Sequence, residues 1–187
     1  MKHVAEQLLS LDRPTVAMTV ALPGSGKSTM VRHLTEVLTS LNPQVSVATI
    51  SPDAIRQEIA TEQGIQSTYD RRLNMAVFER AHDRTKEVID MGGIALIDAT
   101  HCNRYRTVSA SEYRDMGAAT IAGLVLNVPI ETTLEINEQR QENGLGYVNP
   151  EDIERMAAFQ QENPLTPTQT EAFDVVFELT PDQWLSV

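Results

Sequence analysis

The chain has 187 residues, of which 26 are acidic and 15 are lysine or arginine, so its formal net charge is −11. This length suits one compact domain, and 41% hydrophobic with 22% charged residues is typical of a globular protein. The single cysteine, Cys102, excludes an internal disulfide framework, and no apolar run is long enough to cross a bilayer. With no secretory signal visible, we expect one domain over residues 1–187, in the cytoplasm and without a membrane partner.

The negative charge is concentrated in the last third of the chain. Residues 1–130 hold 14 acidic and 13 basic side chains, whereas residues 131–187 hold 12 acidic side chains but only Arg140 and Arg155 as basic ones. A strongly negative surface repels polyanions such as nucleic acid. This argument therefore applies only if the last third faces the substrate, and a solvated acidic face is the simpler interpretation.

Strands and helices are predicted to alternate along the chain. Apolar residues without polar alternation predict a buried strand at residues 15–21, and residues 94–98 are predicted to be another buried strand. Further strands are predicted at residues 45–50, 119–128 and 174–179. Apolar residues at helical spacing predict helices at residues 27–39, 54–61, 68–91, 104–116, 131–142 and 150–161. This alternation predicts an α/β fold, a three-layer sandwich around a parallel sheet of about five strands.

A glycine-rich segment follows the first strand and opens the first of these helices. The glycines expose backbone N–H groups that can surround phosphate oxygens, and the helix N-terminus favours the same anion. Lys27 can reach the β- and γ-phosphates, and the Ser28 hydroxyl can bind Mg²⁺. The motif departs from GxxxxGK[ST] only at its first glycine, which is Ala21. The candidate phosphate-binding residues are Leu22, Pro23, Gly24, Ser25, Gly26, Lys27, Ser28 and Thr29.

This phosphate loop predicts a P-loop NTPase fold of the kinase type, with ATP and Mg²⁺ as cofactors. The alternative is a glycine-rich helix start with a solvent-exposed lysine.

After the second strand, Asp53 and Arg56 stand three residues apart at a helix start, so both could face one ligand. Asp53 could accept a proton from an attacking hydroxyl and Arg56 could hold an anionic acceptor, or the two could be a helix cap and a surface residue.

Asp98 ends the third strand, where a carboxylate beside the phosphate loop can bind Mg²⁺ or its bound water. The alternative is a cap for the helix that follows. Thr100 could assist by hydrogen bonding, whereas His101 and Cys102 are interpreted as bystanders, since one His–Cys pair does not make a metal site.

These motifs together resemble the kinase domain of bacteriophage and bacterial polynucleotide 5′-hydroxyl kinases. The resemblance extends loosely to residues 171–174 and so covers almost the whole chain. It rests on the run from Leu22 to Thr29, on Asp53-x-x-Arg56-Gln57, on Asp98-Ala99-Thr100 and on Asn137-x-x-Arg140.

The resemblance implies roles for several residues. Lys27 and Ser28 would bind the triphosphate and Mg²⁺, Asp53 would be the general base, and Arg56 would hold the acceptor phosphate. Arg140, on a helical lid of about residues 131–161, would stabilise the transferring phosphoryl group. Two positions depart from the family pattern: Ile136 stands where some members carry a second lid arginine, and His101 replaces an asparagine.

Three hypotheses for function follow. The first is ATP-dependent phosphorylation of the 5′-hydroxyl of DNA or RNA, and the second is phosphorylation of a small hydroxyl compound, nucleoside or modified base. The third is a nucleotide-dependent switch without a phosphoryl acceptor.

Seven basic residues could form a positive face for a polynucleotide, or an ordinary ion-paired surface: Arg71, Arg72, Arg80, Arg84, Lys86, Arg104 and Arg106. The sequence leaves the acceptor, the adenine contacts and the oligomeric state open.

Overall fold

The computed structural model describes residues 1–65, 71–143, 146–166 and 172–185. Its strands are β1 Thr15–Val20, β2 Val47–Ile50, β3 Ile94–Ile97, β4 Thr120–Leu126 and β5 Val175–Leu179. Its helices are α1 Lys2–Ser10, α2 Lys27–Leu41, α3 Pro52–Glu62, α4 Asn74–Asp90, α5 Arg106–Asp115, α6 Ile130–Glu142, α7 Pro150–Glu162 and the short α8 Asp182–Leu185. None of the helices in these described ranges is both long and apolar enough to span a bilayer.

The five strands form one parallel sheet in the order β2-β3-β1-β4-β5. Every residue of β1, β3 and β4 is buried, which explains why their sequences are apolar without alternation. The chain leaves β1 for β2, returns to β3 beside β1, and then crosses to β4 on the other side of β1. The carboxyl ends of β1 and β3 therefore meet at a topological switch point, where α/β proteins bind ligands.

Helices cover both faces of the sheet, so the three-layer α/β architecture expected from the sequence is confirmed. On one face α1, α2 and α8 pack against the sheet, with Leu8, Leu34 and Trp184 in a common core. On the other face α3, α4, α5 and α7 form the second core, which includes Ile55, Val77 and other apolar residues. The sheet is thereby held rigidly beneath the loops at its carboxyl edge.

The structure differs from the predicted elements mainly at their ends. Helix α1 is not predicted, because only three of its nine residues are buried and its apolar stripe is correspondingly short. The predicted helix at 68–91 begins later, since α4 starts at Asn74 after a 3₁₀ turn at Arg71–Leu73, and its residues 68–70 lie outside the described residues. Strand β1 ends at Val20, because the Ala21 N–H donates to the Thr100 carbonyl instead of continuing the ladder (2.9 Å).

Candidate functional site

The phosphate loop lies between β1 and α2, and its two glycines have the backbone conformation that favours glycine. Gly24 has φ 85° and Gly26 has φ 82°, and the Ser25 N–H donates to the Leu22 carbonyl at 3.2 Å. Ala21, which replaces the first glycine of the motif, does not have a positive φ, so a side chain fits at this position. The loop thus curls as an anion-binding turn despite the substitution.

Two helices close over this loop. A Cβ atom at Gly24 would lie 2.9 Å from the backbone oxygen of Thr133 on α6, and one at Gly26 would lie 3.3 Å from Nε1 of Trp184 on α8. Trp184 is 2% exposed. The sequence did not predict either contact, because a single tryptophan in a short terminal helix carries no motif or periodicity.

The structure brings the predicted donor and acceptor residues to one cavity. Lys27, Asp53, Arg56 and Asp98 all line a space of about 450 Å³ at the carboxyl edge of the sheet. Ser28 and Thr29 are exposed on the first turn of α2. The cavity therefore joins the phosphate loop to the candidate base and to the candidate Mg²⁺ ligand.

Asp53 and Arg56 lie on the first turns of α3. Ser51 caps this helix, Pro52 follows it at the first helical position, and both residue types favour a helix start. Arg56 donates to Oδ1 of Asp53 at 2.8 Å and to Oδ1 of Asn74 at 3.1 Å. The Arg56 side chain is 16% exposed and that of Asp53 is 84% exposed, so the arginine is fixed while the carboxylate stays open to a ligand. Asn74 was missed, because nothing in the sequence pairs it with Arg56.

Asp98 follows β3 and is 8% exposed. Its N–H donates to the Ile50 carbonyl at 2.9 Å, while its buried Oδ1 has no hydrogen-bond partner among the described residues. A buried carboxylate oxygen without a donor is costly, and a bound cation or its water would satisfy it. The alternative role as a cap for α5 is not observed, since Tyr105 is the N-cap residue of that helix.

The interpretation of His101 as a bystander rather than a metal ligand stays a prediction. Its backbone has φ 47°, which is unusual for a residue other than glycine, and its ring lines the Lys27 cavity. Nδ1 lies 2.8 Å from the Thr19 carbonyl and must therefore donate to it. Burial lowers the pKa of His101, so the ring is neutral. Burial also raises the pKa of the Cys102 thiol to about 12, so this cysteine is not a thiolate ligand.

The structure does not place Arg140 in the Lys27 cavity. Among the described residues that line this cavity, none belongs to α6. Arg140 is half-buried and lies on the same face of α6 as Thr133 and Asn137. It is about two helical turns, or roughly 10 Å, further along α6 than Thr133, whose backbone oxygen faces Gly24. Asn137 exchanges two hydrogen bonds with the backbone of Val148, at 2.7 and 2.9 Å, and so ties α6 to the segment before α7.

Of the two alternatives for the seven basic residues, an ion-paired surface describes those on α4. Arg80 and Arg84 on α4 each donate two hydrogen bonds to one glutamate of α3, Glu62 and Glu58 respectively, and Lys86 pairs with Asp90. Arg106 is buried and donates to the Asn163 carbonyl at 2.5 Å, so it is not on the surface. Arg104 is exposed, with its guanidinium carbon 4.9 Å from the centre of the Tyr105 ring. The side chain of Arg71 lies outside the described residues.

Comparison with solved structures supports the fold at low sequence identity. A chain of the Pnkp1/Rnl/Hen1 RNA repair complex is 17% identical with a TM-score of 0.62, over 82% of this chain and 46% of that chain. Kti12 of Chaetomium thermophilum, solved with ADP-AlF3, is 18% identical with a TM-score of 0.61, over 89% of both chains. A structure from the PezAT toxin-antitoxin system of Streptococcus pneumoniae is 14% identical with a TM-score of 0.62, over 97% of this chain and 76% of that one.

The chain spans less than half the length of the RNA repair chain. The similarity of the two folds agrees with the resemblance to polynucleotide kinases. A family model described as an AAA domain matches residues 16–163, which include the phosphate loop, the Lys27 cavity, α6 and α7. The chain belongs to this AAA-domain family, and its fold is that of a P-loop kinase.

Proposed function

We propose that this protein transfers the γ-phosphate of ATP to a hydroxyl group, with the 5′-hydroxyl of DNA or RNA as the leading acceptor. The observation that carries this proposal is the common cavity of Lys27, Asp53, Arg56 and Asp98. A switch that only hydrolyses nucleotide would leave the Asp53–Arg56 pair without a role. A kinase needs both a donor site and an acceptor site, and this cavity offers groups suited to each.

The donor side uses the phosphate loop and α2. Backbone N–H groups of residues 24–28 would surround the phosphate oxygens, with Lys27 beside the β- and γ-phosphates. The residues present also fit Mg²⁺, because the buried Oδ1 of Asp98 has no hydrogen-bond partner in the described part of the chain. Ser28 and Asp98 would hold the ion, which when bound neutralises charge on the β- and γ-phosphates.

The acceptor side uses the start of α3. Asp53 would accept the proton of the acceptor hydroxyl. The hydroxyl oxygen would form a bond to the γ-phosphorus while the bond between the γ-phosphorus and the β-phosphate oxygen breaks, releasing ADP. Arg56, held by Asn74, would orient an anionic group of the acceptor. Arg140 would neutralise charge on the transferring group only after α6 moves toward the cavity.

A small hydroxyl compound, nucleoside or modified base is the second candidate acceptor. It is favoured by the ion pairs of Arg80, Arg84 and Lys86, because these cations are already neutralised and offer no free track for a polynucleotide. A nucleic-acid end would then be held close to the cavity rather than along α4.

The test is transfer of label from γ-labelled ATP to a panel of 5′-hydroxyl DNA, 5′-hydroxyl RNA, nucleosides and sugars. The proposal predicts a labelled 5′ phosphate on at least one nucleic acid. Labelling of small compounds alone would select the second candidate, and release of inorganic phosphate with no labelled acceptor would favour the nucleotide-dependent switch.

A further inference from the structure

A second cavity opens beside the Lys27 cavity, between α4 and α5. Its volume is about 340 Å³, at the lower end of the range of about 300 to 1,000 Å³ that is usual for small-molecule sites. The two cavities share six lining residues, namely Pro52, Phe78, Ala99, His101, Tyr105 and Ser109. A molecule whose hydroxyl lies at Asp53 could therefore extend directly into this second space, which we call the aromatic groove.

The groove exposes apolar and aromatic surface to solvent. Phe78 is 53% exposed, Tyr105 is 56% exposed and Val108 is 51% exposed, and all three line the groove. Clustered exposure of large apolar side chains is uncommon on a soluble protein unless a ligand or partner covers it. Arg104 donates a hydrogen bond to the Tyr105 hydroxyl at 2.8 Å, which helps to hold that ring in place.

The charges around the groove favour a neutral occupant. Its described lining includes neither lysine nor arginine, and its ionisable pair is Glu112 with His82, whose Oε2 and Nε2 atoms lie 3.9 Å apart. Lys27 and Arg56 line only the neighbouring cavity. Phosphate groups of an acceptor are therefore attracted to the Lys27 cavity, whereas a flat uncharged group suits the groove.

We propose that the aromatic groove binds the nucleobase attached to the acceptor sugar, so that the acceptor is a nucleoside unit, free or at a 5′ end. This inference rests on the proposed function and specifies its substrate class. Aromatic side chains stack on any base, so the groove would select for a base without reading its identity. Acceptors that lack a planar ring, such as free sugars and polyols, would leave the groove empty.

The experiment compares two oligonucleotides that differ only in the 5′-terminal unit, one with a base and one with an abasic tetrahydrofuran residue. Binding to the protein with a non-hydrolysable ATP analogue is measured by calorimetry, and phosphorylation is measured with γ-labelled ATP. Base stacking on one aromatic side chain is worth about tenfold in affinity or more. We expect the wild-type protein to prefer the base-bearing acceptor by at least that factor in both measurements.

Phe78→Ala and Tyr105→Ala should each weaken binding of the base-bearing acceptor about tenfold and binding of the abasic acceptor much less. Met75→Ala is the matched control, because Met75 is 74% exposed on α4 and does not line the groove. Equal binding of both acceptors by the wild-type protein, or equal losses for both in the variants, would overturn the proposal. Calorimetry decides this even if no hydroxyl is phosphorylated, a result that would reject the proposed function separately.

Discussion

Gly24 is restricted both by its backbone conformation and by its neighbour. Its φ is 85°, and a Cβ atom would lie 2.9 Å from the backbone oxygen of Thr133, which cannot move without shifting α6. We expect Gly24→Ala to lower the melting temperature and to abolish stabilisation by ATP. Gly92→Ala is the control, because Gly92 has φ 65° but no atom within 4 Å of its Cβ position. It should cost only about 1–2 kcal/mol of backbone strain. Equal melting temperatures for the two variants would contradict the contact with α6.

The buried ring of His101 should make stability depend on pH. Because burial lowers its pKa in the folded protein, the unfolded chain takes up the proton first, near pH 6.5. The free energy of unfolding therefore falls as the pH drops below about 6.5. Asparagine tolerates the positive φ at this position, so His101→Asn should fold and should lose this contribution.

Urea unfolding at pH 7.5 and pH 5.5 checks this prediction. The wild-type protein should lose more stability between these values than His101→Asn. His3→Asn, which changes an exposed histidine of α1, should behave like the wild-type protein. An identical pH dependence in His101→Asn and the wild-type protein would show that the ring is not responsible.

At the residue scale, the sequence identifies side chains that occupy motif positions or the ends of strands. Lys27, Asp53 and Asp98 could be predicted to lie near one another, because parallel strands bring their carboxyl ends to one edge of a sheet. Asn74 and Trp184 could not, since their contacts arise only when helices far apart in the chain pack together. The roles given to the catalytic residues stay predictions.

At the scale of elements, α3 and α4 are joined by two bidentate ion pairs. Arg80 donates to both carboxylate oxygens of Glu62, at 2.8 and 2.9 Å, and this bonding lowers the pKa of Glu62. We expect Arg80→Ala to leave the KM for the acceptor unchanged, because the guanidinium already has its partner. Arg56→Ala, which changes a cavity residue, should raise that KM. Similar increases of this KM in the two variants would indicate that α4 contacts the acceptor.

The elements themselves were predicted better than their ends. Buried parallel strands are continuous apolar runs, and this pattern fits β1, β3 and β4. Strands β2 and β5, at the two edges of the sheet, were also predicted but are only partly buried. Helix α1 was missed, because a nine-residue helix with one buried stripe has too few apolar residues to establish a period. The segment predicted as a lid, at about residues 131–161, contains α6 and α7. The position of Arg140 outside the Lys27 cavity could not be predicted, because it depends on how α6 packs against the rest of the protein.

At the scale of the whole molecule, the net charge of −11 does not decide whether nucleic acid binds. The acidic last third includes α6, α7 and β5, whereas Lys27 and Arg56 line the cavity at the switch point. Lys27 and Arg56 are the cations that line this cavity in the described part of the chain, and Arg80 and Arg84 are ion-paired, so we expect about one or two phosphates of a single strand to be neutralised there. The logarithm of the binding constant for a 5′-hydroxyl oligonucleotide should then fall with the logarithm of salt concentration with a slope between about −0.7 and −1.4. A slope several times steeper would require an extended basic surface.

We propose Asp53 as the base for phosphoryl transfer from ATP bound at the phosphate loop. The most direct test measures ATP affinity and phosphoryl transfer together in Asp53→Asn, with Glu151→Gln as control. Glu151 is likewise an exposed carboxylate in the first turn of a helix, and it does not line the Lys27 cavity. We predict unchanged ATP affinity in both variants and a loss of kcat of about 100-fold or more in Asp53→Asn alone. Full transfer activity in Asp53→Asn would contradict this account.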